Sequence, residues 1–408
     1  MRKLRSALCA LCLLMLIPMA LHARRILPLD RQPLIAEKYA GWSGVLRLWI
    51  YEGWQPGNGS LSAWLNRCVA GFEKRHPGLY IQPEYVAADA LSDFLDSGIL
   101  PPDMLLFPPG LLDTPKGLAP LAPVQGVRPA FAGVGAWGSG IYAIPIAAGG
   151  YLFARNTSML NALPRSWQDS DAVLAVPPPE RWRHWDLALL SLCSLPSPPA
   201  AGTTPEPVLP GLDLGLVPDA VPTPAPSATA NPGEPTPCHL AEDFEYDENA
   251  WLSFINGQAA ALTVTQREIR RLQSLADQGR GPDWALSGAC LYTDQILCLA
   301  LVDRDEGDPR PDLCREFLEY LLDPACQGIL EMAGAFSVTD ALSGYRQGDP
   351  LLQMEQALRS DALCVPGCFD KDRFDEAEEI VRKFISGTGN AASYWRNARE
   401  VLIEIPND

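Results

Sequence analysis

The chain of 408 residues carries a formal net charge of -17, because 49 acidic residues outnumber 32 basic ones. Such an acidic chain has no basic field to attract phosphates, which excludes nucleic acid as a partner and disfavours anionic lipid headgroups. Hydrophobic residues make up 47% of the chain, which is enough to form the cores of two or three soluble domains.

The first 23 residues have the pattern of an export signal. Three basic residues among the first five precede an apolar run from Ala7 to Leu21, which suits a signal-peptide core and is short for a membrane span. Cleavage after Ala23 would leave Leu21 where a small residue is preferred, so an uncleaved membrane anchor is the alternative. In either case we expect residues 24–43 to form a tether and the rest of the chain to be exported and extracytoplasmic.

The next elements predict half of a doubly wound α/β sheet. Asn58 or Ser60 can cap a helix whose apolar residues recur at helical spacing on one face. Ligands of such sheets collect at the carboxyl ends of the strands, where the sequence places Trp54 and Phe107. The predicted elements are strands at 45–50, 79–86 and 103–107, a helix at 61–72, and a short helix before the third strand.

A second group of elements follows a pair of glycines. Residues 142–156 are apolar around Gly149 and Gly150, and they predict a strand that changes character there, as a crossover or as a hinge. Residues 195–237 hold thirteen prolines and only four charges, all acidic, and predict a disordered insertion within one domain. Further helices are predicted at 250–255, 266–276, 311–322, 324–333, 374–386 and 391–405, a strand at 259–264, and a strand-rich apolar stretch at 291–302.

The sequence lacks the motifs of common enzymes. It contains no Gly-x-Ser-x-Gly elbow, no His-Glu-x-x-His pair and no phosphate-binding loop. With four histidines, and a neighbouring cysteine only at Cys238-His239, we do not expect a metal site. The sequence therefore predicts a protein that is not an enzyme and needs no cofactor.

Nine cysteines follow the signal segment, and in an oxidising compartment some should pair. Cys364 and Cys368 flank a Val-Pro-Gly turn and could form a local bridge. Cys193 and Cys238 flank the Pro-rich insertion and could close its base. Free, buried thiols that act as small hydrophobic groups are the alternative for both pairs.

Five segments, in this order and spacing, resemble the family 1 extracellular solute-binding proteins, which are receptors of ABC importers for sugars. The resemblance covers roughly residues 45–405, except the Pro-rich insertion, which the family pattern lacks. The segments are GFEKRHPGLYIQPEYV (71–86), PPDMLLFPPGLLD with the following LAPL (101–121), YAIPIAAGGYLFARNTSML (142–160), FINGQAAALTVTQREIRRL (254–272) and CREFLEYLLDPACQGILEMAGAFSVTDAL (314–342).

The resemblance implies a fold of two doubly wound α/β lobes joined by a hinge that the chain crosses several times, the type II periplasmic-binding-protein-like arrangement. Gly149 and Gly150 would belong to the first crossing, and the Pro-rich insertion to lobe 2. The implied bounds are 45–145 with 288–335 for lobe 1, 146–287 with 336–408 for lobe 2, and crossings near 144–150, 289–295 and 337–342.

Candidate solute-binding residues carry over from the same resemblance. An aromatic face can pack on the C–H face of a pyranose, while amide, carboxylate and guanidinium groups bond its hydroxyls. Each side chain could instead be a packing or surface residue, and the run 147–150 offers no polar side chain, which leaves the sugar open. The candidates are Trp54, Gln55, Phe107, Tyr151, Gln266, Arg267, Phe369 and Asp370.

The function implied is capture of a small solute, a sugar or oligosaccharide, between the lobes for an ABC permease in the membrane, by a monomeric protein. A cell-surface receptor-like or scaffolding module with the same fold and no transport role is the alternative. An extracytoplasmic enzyme is a third possibility. A glycosidase would need two carboxylates that face each other across a cleft, an arrangement that sequence alone does not show.

Overall fold

The computed structural model describes residues 42–51, 54, 57, 59–87, 102–162, 174–175, 249–287, 292–304, 307–361, 363–364, 367–369, 371–385 and 391–403. Five predicted features therefore lie outside the described residues. They are the export signal, all but the last two residues of the tether, the short helix before the third strand, the Pro-rich insertion, and the possible bridge between Cys193 and Cys238.

The described elements alternate between strands and helices. The strands are β1 Gly44–Tyr51, β2 Leu79–Val86, β3 Met104–Phe107, β4 Ala136–Trp137, β5 Gly140–Ile141, β6 Ile144–Ala148, β7 Leu152–Asn156, β8 Leu174–Ala175, β9 Ala261–Val264, β10 Trp284–Ser287, β11 Tyr292–Thr293, β12 Ile296–Leu301 and β13 Leu363–Cys364. The helices are α1 Leu61–Arg75, α2 Pro129–Ala132, α3 Ala250–Ile255, α4 Gln266–Asp277, α5 Arg310–Leu321, α6 Pro324–Gln327, α7 Pro350–Asp361, α8 Lys371–Ile385 and α9 Ala391–Ile403, with a 3-10 turn at Leu330–Ala333.

The first helix forms as its sequence predicts. The Ser60 hydroxyl accepts the Ala63 N–H at 3.1 Å, which satisfies one of the free donors of the first turn. The helix ends at His76, and Gly78 takes a positive φ of 94° to start the next strand. The apolar face that the spacing predicted is buried, and it consists of Trp64, Leu65, Cys68, Val69 and Phe72.

The larger sheet has five strands in the order β2-β1-β3-β12-β6. Strand β1 runs parallel to β2 and β3, whereas β12 runs antiparallel to both β3 and β6. The carboxyl ends of β1, β3 and β6 therefore lie along one edge, together with the amino end of β12. Every residue of β3, β6 and β12 is buried, as expected for strands covered on both faces.

The second sheet has four strands in the order β10-β7-β9-β8. Strand β7 is antiparallel to β9, and Leu152 pairs with Val264. The amino end of β7 and the carboxyl end of β9 therefore share one edge of this sheet. The chain leaves the larger sheet at Ala148 and enters the second at Leu152, so the apolar stretch around the two glycines forms two strands in different sheets.

Some elements match the sequence prediction and others differ from it. The apolar stretch 291–302, which was predicted to be rich in strand, contains β11 and β12, with Asp294 and Gln295 between them. The helix predicted at 324–333 is a four-residue helix followed by a 3-10 turn, with Gly328 at the end of the first piece. The elements that were not predicted are helices α2 and α7 and the short strands β4, β5, β8, β10 and β13. Among the described helices, none combines the length and apolar character that a membrane crossing requires.

Candidate functional site

The chain passes from the larger sheet to the second sheet between Ala148 and Leu152, and several candidate residues lie at the strand ends beside this connection. Trp54 follows β1, and Phe107 is the last residue of β3. Because these neighbouring strands are parallel, both residues lie at one edge of the larger sheet. Tyr151 precedes β7, and Gln266 follows β9, at one edge of the second sheet. The topology therefore places these four candidates at the edges through which the sheets are connected. Of the other candidates, Arg267 and Phe369 are described, whereas Gln55 and Asp370 lie outside the described residues.

A group of polar contacts joins the two connecting segments, and we call Gly149, Tyr151, Gln266, Asp294 and Gln295 the crossing cluster. The Tyr151 hydroxyl donates to Asp294 Oδ1 at 2.5 Å and accepts from Gln295 Nε2 at 2.9 Å. The Gly149 N–H donates to the Gln295 carbonyl at 2.5 Å. All five residues of the crossing cluster are buried, so their polar contacts are shielded from solvent.

Burial and charge set the protonation state of the Tyr151 phenol. Burial raises the pKa of the Tyr151 phenol well above its ordinary value, and the neighbouring Asp294 carboxylate raises it further. The phenol therefore stays protonated and remains a donor to the carboxylate. A hydrogen bond to an ionised acceptor is among the stronger polar contacts in proteins.

Gln266 owes its position to a capping box at the start of α4. The Thr265 hydroxyl accepts the Arg267 N–H at 3.3 Å, and the Thr265 N–H donates to Glu268 Oε2 at 3.0 Å. This reciprocal arrangement is what the sequence Thr-x-x-Glu favours before a helix. It holds Gln266 as the first helical residue, where its Oε1 accepts the Gly150 N–H at 3.3 Å.

Gly149 is required here for space. A Cβ on this residue would lie 2.8 Å from Gln266 Nε2 and 3.0 Å from Gln295 Cβ. The glycine therefore lets the α4 side chain reach the connecting backbone. The predicted role of Gly149 and Gly150 as hinge residues stays a prediction.

A second group of side chains is apolar, and we call Phe107, Trp137 and Phe369 the aromatic cluster. The Phe369 ring lies 6.0 Å from the Phe107 ring, and 6.0 Å from the Trp137 ring in an edge-to-face arrangement. The loop after β3 holds Phe369 in place, because the Gly110 N–H donates to the Cys368 carbonyl at 2.9 Å. Phe107 and Phe369 are buried, whereas Trp137 is half-buried.

Two buried donors near the sheet edges lack a hydrogen-bond partner among the described residues. They are Trp54 Nε1, on a side chain that is 4% exposed, and Gln266 Nε2, on a side chain that is fully buried. Leaving such a donor unpaired costs roughly 1–3 kcal/mol, so unpaired buried donors tend to be retained for a reason other than stability.

Sequence reasoning missed Asp294, Gln295 and Trp137. No local signal marks Asp294 or Gln295, since their partner Tyr151 is more than a hundred positions away in the sequence. Trp137 carries a signal, because it ends β4 before a Gly138-Ser139 turn in which Gly138 has a φ of 54°. Arg267 is half-buried and follows Gln266 in α4.

The thiol of Cys368 is free and buried, and its side chain hydrogen-bonds with Cys298. The local bridge between Cys364 and Cys368 that the sequence allowed is therefore not formed, and the alternative of a buried thiol holds for Cys368. Within the described ranges, no group of three or more His, Cys, Asp or Glu side chains could hold a metal ion.

The sequence matches no protein-family model and no curated protein. A maltodextrin-binding protein from L. casei BL23 has 13% identity and a TM-score of 0.56, over 88% of this chain and 98% of its own. A cyclic alpha-maltosyl-1,6-maltose binding protein from Arthrobacter globiformis has 13% identity and a TM-score of 0.51, over 90% of this chain and 100% of its own.

A third solved structure is a family 1 extracellular solute-binding protein from Bifidobacterium longum subsp. infantis. It has 11% identity and a TM-score of 0.56, over 88% of this chain and 99% of its own. At such low identity the likeness concerns the fold alone, and it extends over nearly the whole length of each neighbour. The chain therefore has the periplasmic-binding-protein-like α/β fold of the family 1 extracellular solute-binding proteins.

Proposed function

We propose that this protein is an exported solute-binding protein that captures a sugar or oligosaccharide between two lobes and delivers it to an ABC permease. The observation that carries the proposal is that each of the two connected sheet edges has a buried, unpaired donor, on Trp54 and on Gln266. A ligand rich in oxygen acceptors would satisfy these donors when it binds.

The sugar class is supported by the chemistry of the surrounding side chains. A half-buried ring such as that of Trp137 offers a face for the C–H groups of a pyranose. Phe369 packs edge-to-face with this ring and itself contacts Phe107. Two solved neighbours are named for binding maltodextrin and a cyclic maltosyl-maltose, which agrees with this choice. Motifs of common enzymes are absent from the sequence, which agrees with binding without turnover.

We further propose two lobes with the bounds 45–145 with 288–335, and 146–287 with 336–408. Their first two crossings would lie at 144–150 and 289–295. The contacts between Gly149 and Gln295 and between Tyr151 and Asp294 support this, since they join these two segments beside each other. Near the third proposed crossing, Phe336 bonds through its backbone to Ala148. Closure about these segments would let a solute select the closed form that a permease recognises.

Export and the monomeric state are part of the same proposal. The basic start and apolar run of the first 23 residues support export, with cleavage or anchoring as its two forms. A monomer suffices, because both proposed lobes come from one chain.

The test is a thermal-shift screen of the purified chain against maltose, maltotriose, longer glucans and other mono- and oligosaccharides, then amino acids, peptides and polyols. A solute that binds only the native state raises the melting temperature by mass action. We expect a saccharide hit, confirmed by calorimetry with one site and no product formed. Product formation would contradict the proposal in favour of an enzyme, and silence across the panel would favour the scaffolding module.

Trp54→Ala provides the site-specific arm of this test. If the indole contacts solute, the variant should weaken binding by about 1–3 kcal/mol, from the loss of a large buried side chain. Trp49→Ala is the matched control, because its indole donates to the exposed Glu84 carboxylate at 3.2 Å on the outer part of the same sheet. Equal loss of affinity in both variants would remove Trp54 from the site.

A further inference from the structure

Two buried cysteines meet where the first helix packs against the region after α5. Cys68 lies on the buried face of α1 and is 1% exposed, and Cys326 lies in α6 and is 2% exposed. Both thiols are free, and their side chains hydrogen-bond with each other. The two residues are far apart in the sequence, so only the fold brings the sulfur atoms together.

Independent contacts hold the backbones of the two cysteines in register. Trp64, one helical turn before Cys68, donates its indole N–H to the Cys326 carbonyl at 2.9 Å. On the other side of Cys68, a Cβ on Gly71 would lie 2.3 Å from the Tyr320 hydroxyl. The helix is therefore held against this region on both sides of Cys68, one turn before it and one turn after it.

We propose that Cys68 and Cys326 are a disulfide-forming pair, which joins α1 to α6 when the protein folds in an oxidising compartment. The pairing does not depend on a solute or on a permease, so it goes beyond the proposed function. It would close a long loop of the chain, and cross-links that close long loops constrain the unfolded state most.

In the folded chain the two sulfur atoms have different surroundings. Hydrogen bonds with the Cys68 thiol and the Tyr320 hydroxyl lower the pKa of Cys326. The hydrogen bond to Cys326, together with burial, raises the pKa of Cys68. These surroundings form only once α1 has packed, so either cysteine can attack first during folding.

The reaction is thiol–disulfide exchange with an external disulfide, either oxidised glutathione or a disulfide oxidoreductase. The thiolate of one of the two cysteines attacks one sulfur of that disulfide, breaks its S–S bond and releases the other sulfur as a thiolate. The second cysteine then loses its proton, attacks the Sγ of the first and expels the second thiolate. Two electrons and two protons pass from the cysteine pair to the oxidant. Because both cysteines are buried in the folded chain, we place the exchange before α1 packs.

The pair Cys298 and Cys368 is the nearest competitor, because these two side chains also hydrogen-bond with each other. Burial raises the pKa of Cys368, as it does that of Cys68, so thiol acidity does not separate the two pairs. Peptide mapping separates them. Cys314 serves as a control thiol, because burial also raises its pKa and its charged neighbours are Asp103, Arg304 and Arg310.

The experiment is peptide mapping of the full chain after refolding in glutathione buffers from fully reduced to fully oxidised. Free thiols are alkylated under denaturing conditions before digestion with trypsin. The three relevant cysteines then lie on separate peptides, 68–74 with Cys68, 305–315 with Cys314, and 316–346 with Cys326. We expect 68–74 linked to 316–346 in oxidising buffer, and 305–315 fully alkylated.

The melting temperature provides a second readout. Reduction should lower it by about 5–10 °C in the unmodified chain and in Cys314→Ser, and should leave Cys326→Ser unchanged. Complete alkylation of both Cys68 and Cys326 in the most oxidising buffer would overturn the proposal, and this readout needs no variant to fold. Linkage of either cysteine to another partner would overturn it equally. None of these outcomes depends on whether a sugar binds.

Discussion

The crossing cluster and the aromatic cluster lie at the same edge of the larger sheet and are built on opposite principles. In the crossing cluster, Tyr151, Asp294 and Gln295 are linked by directed hydrogen bonds. In the aromatic cluster, Phe107 and Phe369 make ring contacts that fix no single orientation. One cluster specifies how the two connecting segments lie side by side, whereas the other supplies apolar surface.

The difference indicates which substitutions should act on stability and which on solute binding. A buried hydrogen-bond network loses stability when one member is removed, because the remaining members are left unpaired. A ring with an exposed face loses little packing when it is replaced, but loses whatever binds to that face. The following predictions run from the largest expected effect to the smallest.

Phe107→Ala should cause the largest loss, about 3–5 kcal/mol in the free energy of unfolding, since the ring is fully buried at the end of β3. Urea denaturation measures it. Trp137→Ala is the matched variant in the same cluster, and its half-buried ring should cost clearly less stability while weakening sugar binding more. Equal stability losses would mean that the Phe107 and Trp137 rings contribute equally to packing, which would contradict the contrast between a buried and a half-buried ring.

Tyr151→Phe should lower the free energy of unfolding by roughly 1.5–3 kcal/mol, because it removes the donor to a buried carboxylate without changing the ring. Thermal or urea unfolding of the variant at neutral pH measures this loss. Tyr80→Phe is the control, since that side chain is 61% exposed and should change stability little. A neutral effect at Tyr151 would show that the crossing cluster contributes no net stability.

Tyr151→Phe should also change how the free energy of unfolding responds to alkaline pH. The pKa of Tyr151 is raised in the folded protein, so the unfolded chain loses this proton first as the pH rises. The stability linked to Tyr151 is therefore present below the ordinary tyrosine pKa of about 10 and is lost as the pH rises above it. Tyr151→Phe should flatten the alkaline decline in a series of urea titrations, and an unchanged slope would contradict this.

Gly149→Ala should cost about 1–3 kcal/mol, because its new methyl group would press on the Gln266 amide. The double variant with Gln266→Ala should recover part of the loss, since the crowding atoms are gone. A double-mutant cycle measured by urea denaturation isolates this coupling. Strict additivity would mean that the glycine is needed for backbone conformation and not for space.

The parts of the structure that were predictable depend on residues that are close together in the sequence. The helical spacing from Leu61 and the cap at Ser60 follow from a few positions, and the structure has both. Helix α7 could have been found in the same way. Asp349 accepts the Leu351 N–H at 2.9 Å, Pro350 starts the helix, and the apolar positions recur at helical spacing.

The parts that were not predictable depend on sheet order. Strands β3 and β12 pair across nearly two hundred residues, and this pairing brings Asp294 and Gln295 to the same edge as Phe107. An antiparallel strand inserted into a parallel sheet reverses which of its ends meets the site. Local patterns do not report that reversal, so the polar half of the crossing cluster was missed although Tyr151 and Gln266 were predicted.

Trp54→Phe has the smallest expected effect. It distinguishes an indole N–H that donates to the solute from an indole that is only a core residue. The substitution keeps an aromatic ring and removes only the Nε1–H, which has no partner among the described residues. The free energy of unfolding should stay within about 1 kcal/mol or rise, because an unpaired buried donor is lost. Affinity for the saccharide found in the screen should fall by about tenfold, the equivalent of one hydrogen bond of about 1.4 kcal/mol. Calorimetry and urea unfolding of the same preparation measure both quantities. Unchanged affinity with raised stability would identify the indole as a core residue whose N–H contacts no solute, and the apolar role of the larger sheet's edge would then extend to Trp54.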